Sequence, residues 1–164
     1  MDIMTQKKEA AGTVIISEQT RLFLFGYIVN NEFQIDAESG TVIKLYNNID
    51  CGTHSDYHFS NYLKLHKTMM RLLLYLLENA NFGYVSNRDI LVHVWENYNL
   101  SSSSTRLIQV ISKLKERLAV IGIDDSFIKA SRGKGYTLQG SLIVPLYSFS
   151  GTDNRETGFH YSVK

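Results

Sequence analysis

Residues 86–138 read SNRDILVHVWENYNLSSSSTRLIQVISKLKERLAVIGIDDSFIKASRGKGYTL, and this stretch decides the fold. Ser86 followed three residues later by Asp89 has the spacing of a capping box, which satisfies free N–H groups at a helix start. The helix it opens buries Ile90, Leu91, Val94 and Trp95 and is expected to reach about Asn97. Asn99–Ser102 is a loop, and one of Ser102, Ser103 and Ser104 caps a longer helix over about 103–121. There Leu107, Val110, Ile111, Leu114, Leu118 and Ile121 recur at helical spacing and form a core stripe, and Gly122 stops the run. Phe127–Ser131 and Tyr136–Leu138 then read as two strands joined by Arg132-Gly133-Lys134-Gly135, a hairpin.

Upstream, Lys67–Asn79 is a helix with Met70, Leu73, Leu74 and Leu77 on one face, widened by Met69, Leu72 and Leu76, so it is central. Gly83 is a candidate left-handed cap after it, and Tyr84-Val85 a candidate short strand. Before it, Arg21–Asp36 reads as two strands turned at Asn30-Asn31, Thr41–Tyr46 as a third and Tyr57–Leu63 as a fourth. Residues 1–20 are expected to form a flexible polar arm. Residues 21–139 form the domain, and 140–164 an extension or linker in which Leu142–Phe149 is apolar enough to add a strand or dock. The predicted class is α+β: an N-terminal antiparallel sheet, three helices and a C-terminal β-hairpin wing, a winged helix-turn-helix.

Charge is unevenly placed. The net is +1, from 17 Lys/Arg and 16 Asp/Glu in 164 residues. Residues 101–139 hold seven basic against three acidic groups, whereas residues 1–60 hold four against eight. The total argues against a protein that coats nucleic acid, but only local charge meets a phosphate. At 44% apolar residues the chain can bury a core. One cysteine, Cys51, excludes an internal disulfide and fits a reducing compartment. No apolar run approaches the roughly 20 residues of a membrane span, and the N-terminus lacks a signal-peptide pattern.

Three motifs in order carry a family resemblance. Ser86-Asn87-Arg88-Asp89-Ile90 with Val94-Trp95, Leu107 to Leu118, and Ile128 followed by Arg132-Gly133-x-Gly135-Tyr136 resemble the second helix, recognition helix and wing of OmpR/PhoB-type winged-helix regulators. The match covers about residues 22–139. The run Ser101–Ser104 entering Leu107-Ile108-Gln109-Val110-Ile111-Ser112 is most similar to the ToxR/CadC-like branch, which places the DNA-binding domain first, often ahead of a transmembrane helix. About 20 residues precede the first predicted strand, so no phospho-accepting receiver is expected there. Lys113 and Lys115 stand where the family often has arginine, and Ala130-Ser131 where it usually has Thr-Val.

The resemblance implies a bacterial transcription regulator that binds duplex DNA, with the long helix in the major groove and the wing, about 127–139, near the minor groove. Arg106, Gln109, Lys113 and Arg117 lie at steps of 3, 4 and 4 on a face opposite the core stripe, suited to guanine acceptors, phosphates or an adenine edge. Ser102, Ser103, Ser104 and Thr105 stand at the positive end of that helix, where phosphate binds and where serine also simply caps. Arg88 opens the shorter helix near phosphate. Arg132 and Lys134 occupy the wing tip, where the family directs a cation toward the minor groove. Trp95 and Tyr136 belong to the core.

Cys51, His54 and His58 have a zinc-like spacing without an obvious fourth ligand, so no metal or other cofactor is expected. His66 and His93 read as structural. No catalytic constellation stands out, and no enzyme activity or small-molecule substrate is expected. The expected partners are promoter DNA, a second copy or tandem copies on DNA, and a polymerase subunit or membrane protein. The expected location is the cytoplasm, as a free protein or the cytoplasmic part of a tethered one. The competing reading is a winged-helix protein-interaction module that lacks sequence-specific DNA binding.

Overall fold

The structure is a computed structural model that describes residues 13–17, 20–45, 62–81 and 83–151. Two compact units result, one within Phe25–Leu146 and one whose described residues are 13–17, 20–24 and 147–151. In the terminal unit, β1 (Thr13–Ser17) pairs antiparallel with the start of β2 (Thr20–Val29), Val14 opposite Leu22. The polar arm expected over residues 1–20 therefore contains a strand, because Val14-Ile15-Ile16 is a β-branched run.

In the main unit, β2 is followed by β3 (Phe33–Asp36), β4 (Thr41–Lys44) and β5 (Tyr62–Lys64), each antiparallel to the one before. Asn30 and Asn31 both take positive φ at the first turn, which asparagine tolerates. Asp36 Oδ1 accepts from the backbone N–H of Glu38 and Ser39, each at 2.9 Å, and so builds the second turn. Tyr27, Val29, Phe33, Ile35, Val42 and Leu63 are buried. The apolar stretch near the C-terminus forms β8 (Ile143–Gly151), which pairs with β2 and is anchored where Asn30 N–H donates to Leu142 O at 2.8 Å.

Helix α1 (Lys67–Asn79) supplies the centre, with Leu72, Leu73 and Leu76 fully enclosed. Gly83 is not its cap: Ala80 is the C-cap. The reason is tertiary. The Ala80 carbonyl accepts from Leu138 N–H and from Thr137 Oγ, each at 3.0 Å, so the hairpin satisfies the helix end.

Helix α2 (Asn87–Val94) starts as expected: Ser86 Oγ accepts from Asp89 N–H and donates to the Asp89 carboxylate. It ends earlier than the pattern suggests. A 3-10 turn, Glu96–Tyr98, follows, and Asn99 at φ 55 lets Leu100 N–H reach back to Trp95 O at 3.1 Å. Helix α3 (Ser104–Val120) buries Leu107, Ile111, Leu114 and Leu118. Gly122 at φ 96 closes it, with Ile123 N–H bonded to Leu118 O, as in a Schellman motif. A 3-10 turn, Asp125–Phe127, then leads into the hairpin of β6 (Ile128–Ser131) and β7 (Gly135–Leu138), Ser131 opposite Gly135.

Sheet, three helices and C-terminal hairpin make a winged helix-turn-helix of the α+β class. Trp95 and Tyr136 lie in its core. Cys51, His54 and His58 lie outside the described residues. His66 is the N-cap residue of α1, and His93 stacks on Tyr75 at 4.9 Å with Nδ1 2.8 Å from Asp89 O. Among the described residues no helix is long and apolar enough to cross a membrane.

Candidate nucleic-acid interface

Off its buried stripe helix α3 is exposed, apart from half-buried Val110 and Lys115. At about 100° per residue, Arg106, Lys113 and Arg117 fall along one flank, Gln109 and Glu116 opposite the stripe, and Ile108 and Ser112 on the other flank. That second flank borders a cleft whose far side is the hairpin, at Ile128, Ala130 and Tyr136.

The predicted cations differ in their engagements. Lys113 and Gln109 are exposed, and neither side chain makes a hydrogen bond or ion pair with a described residue. Arg106 is exposed and its guanidinium donates to Ser101 O at 2.9 Å, across the start of the helix. Arg117 is drawn away from the expected face: its Nη2 donates to the Lys64 carbonyl on β5 at 3.1 Å. Lys115, outside the predicted face, is pinned to Asp125 at 3.1 Å.

The serine run is likewise divided. Ser103 is the N-cap, its Oγ accepting from Arg106 N–H at 3.1 Å. Ser102 Oγ donates to Glu96 Oε1 at 2.8 Å, and Arg88 Nη1 meets the same oxygen at 3.2 Å. Arg88, Glu96 and Ser102 thus brace the turn between α2 and α3, and Arg88 keeps most of its side chain in solvent. Ser104 and Thr105 are exposed in the first turn of α3.

At the wing, Arg132 is exposed and makes no hydrogen bond or ion pair with a described residue. Lys134 Nζ lies 5.4 Å from the ring centre of Tyr84, which steadies it beside the start of α2. Gly135 makes this junction possible. It sits at φ 105, and a Cβ there would collide with the Val85 carbonyl oxygen. Val85 and Tyr136 exchange two backbone hydrogen bonds, 2.8 and 2.9 Å, so the expected Tyr84-Val85 strand is a single bridge that docks the wing on α2.

Two residues on α3 escaped the sequence reading. Glu116 projects from the outward face and accepts from Ser112 Oγ at 3.2 Å, without a cation partner among the described residues. Ile108 is 59% exposed. The signal for both was present, since Ile108, Ser112 and Glu116 recur every four residues. Among the described residues no group of His, Cys, Asp and Glu could hold a metal ion.

Residues 60–138 match the family described as "Transcriptional regulatory protein, C terminal". No curated protein matches the chain by sequence. Among solved structures, the DNA-binding domain of Escherichia coli CadC is similar at 16% identity and a TM-score of 0.54, over 73% of this chain and 96% of that one. The DNA-binding domain of response regulator AdeR, solved in complex with an intercistronic region, is similar at 18% identity and a TM-score of 0.50, over 66% of this chain and 95% of that one. These two likenesses concern the fold.

Proposed function

Because residues 60–138 belong to the OmpR/PhoB-type family of transcriptional-regulator DNA-binding domains, we propose that this chain regulates transcription by holding duplex DNA between α3 and the wing. The family is not an enzyme class. It favours DNA binding over the protein-interaction reading. The observation that carries the proposal is the placement of uncommitted polar and basic side chains: Gln109 and Lys113 on the exposed face of α3, and Arg132 at the wing tip.

In this reading α3 lies in the major groove. Gln109 presents the amide that pairs with an adenine edge, and Lys113 the ammonium that meets guanine acceptors or phosphate. Arg106 exchanges its Ser101 partner for phosphate. The exposed hydroxyls of Ser104 and Thr105 meet phosphate at the helix start, where the backbone dipole favours an anion. Ser102, Ser103 and Arg88 act by shaping the turn, with Arg88 reaching phosphate from its exposed end. Arg132 and Lys134 approach the minor groove, whose negative potential attracts cations. Arg117 serves mainly to fasten α3 to β5.

The DNA-binding unit is residues 21–139, followed by the extension 140–164. The small net charge gives modest affinity for random DNA, which makes paired or tandem copies useful. The acidic N-terminal 60 residues suit a basic protein partner, such as a polymerase subunit. The protein acts in the cytoplasm, where bacterial DNA lies, whether free or tethered to a membrane protein. Selection of bound duplexes from a random pool tests the proposal. Enrichment of a defined motif is expected, and recovery without enrichment would overturn it.

A further inference from the structure

We infer that Ile108 reads a thymine methyl group in the major groove, which makes it a specificity-determining residue of the proposed DNA interface. The inference rests on the DNA-binding reading above and adds the identity of one base.

Ile108 is the fifth residue of α3, in the half of a recognition helix that meets base edges. It is 59% exposed, and no core position needs it, since Leu107 and Ile111 on either side of it fill the interior. Its exposed neighbours on the helix surface are Ser104, Thr105, Gln109 and Ser112, all uncharged and polar. An apolar patch built to dock another protein would extend over several side chains. Here one branched aliphatic group stands among uncharged polar neighbours, on the flank of α3 away from Arg106 and Lys113, at the mouth of the cleft toward the wing.

Duplex DNA offers one apolar group on its major-groove edges, the C5 methyl of thymine. A side chain of this size placed against it removes both methyl surfaces from water. Cytosine and the purines present no such group there. An apolar contact with the C–H groups of deoxyribose, the sequence-independent part of the duplex, would not respond to loss of that methyl.

Replacement of thymine by deoxyuridine deletes that methyl and leaves every hydrogen-bonding group in place. The test is fluorescence anisotropy with the selected duplex, each thymine in turn changed to deoxyuridine, for the full chain and for Ile108→Ala. The expected result is that one deoxyuridine position weakens binding by the natural protein about fourfold, the worth of roughly one buried methyl. Ile108→Ala should bind the thymine duplex about as weakly as the natural protein binds the deoxyuridine one, and should be indifferent to the exchange. Circular dichroism of Ile108→Ala should match the natural chain, because the side chain is exposed. If no thymine position responds, or if Ile108→Ala responds as strongly as the natural protein, the inference fails while the DNA-binding reading stands. If the natural chain binds no duplex, the underlying reading fails with it.

Discussion

Lys115 Nζ lies 3.1 Å from Asp125 Oδ2, so the recognition helix is tied to the turn that launches the wing. Lys113, two residues earlier, points to solvent with no such partner among the described residues. Two lysines that look equivalent in the sequence therefore have different surroundings. Lys113→Ala should weaken duplex binding several-fold, whereas Lys115→Ala should change it less. Lys115→Ala should instead lower stability by up to about 1 kcal/mol, the range of a partly exposed ion pair. Anisotropy and urea unfolding on both variants check the division.

Glu116 is a negative charge on the surface that would face phosphates. Its only described partner is the Ser112 hydroxyl, at 3.2 Å. Glu116→Gln keeps the size and the hydrogen-bonding capacity and removes the repulsion. Affinity for random duplex at low salt should rise a few-fold, and the gain should shrink as salt screens the charge. An unchanged affinity across the salt range would place Glu116 away from the DNA.

Ser103 is the cap of α3, and its neighbours have other roles. Ser103→Ala should cost about 1 kcal/mol of stability, since Arg106 N–H loses its acceptor. Ser104→Ala should leave stability unchanged. Thermal melts of the two variants separate capping from exposure.

Asp124 caps the 3-10 turn before the wing. Its side chain accepts from Ser126 N–H at 2.7 Å, and bonding to Ser126 holds the carboxyl below its usual range. A carboxyl depressed in the folded state adds stability that is complete above its unfolded pKa, about 4. That stability fades as pH falls through the lower folded value. The melting advantage of the natural chain over Asp124→Ala should therefore be level near neutrality and shrink below about pH 4. An advantage that grows on acidification would contradict this.

Much of the fold is legible because local signals agree with tertiary packing. Lys67–Asn79 has the expected bounds, the Ser86/Asp89 cap forms, and of the predicted stripe Leu107, Ile111, Leu114 and Leu118 are buried while Val110 is half-buried. The discrepancies arise where distant chain decides. Gly83 resembles a helix cap, but β7 satisfies the end of α1 at Ala80. Asn99, rather than exhaustion of the apolar pattern, sets the end of the α2 segment. The site divides in the same way. Helical spacing correctly exposes Gln109 and Lys113. It cannot reveal that Arg117 reaches β5, or that Ser102 and Arg88 converge on Glu96. Attention to cations alone also passed over Ile108 and Glu116.

The central claim is that α3 and the wing hold duplex DNA through a small set of cations. Binding should then weaken linearly in log affinity against log salt, with a slope near −0.9 per phosphate neutralised. Four cations without an acidic partner among the described residues, Arg106, Lys113, Arg132 and Lys134, give a slope of about −3.6, Arg88 being already paired with Glu96. Arg132→Ala should reduce its magnitude by about one phosphate's share. An anisotropy titration of the full chain with its selected duplex at several salt concentrations reads this directly. A slope of about −3 to −4, made shallower by Arg132→Ala, is the predicted result. Binding with a slope near zero, or a slope that Arg132→Ala leaves untouched, would contradict the account.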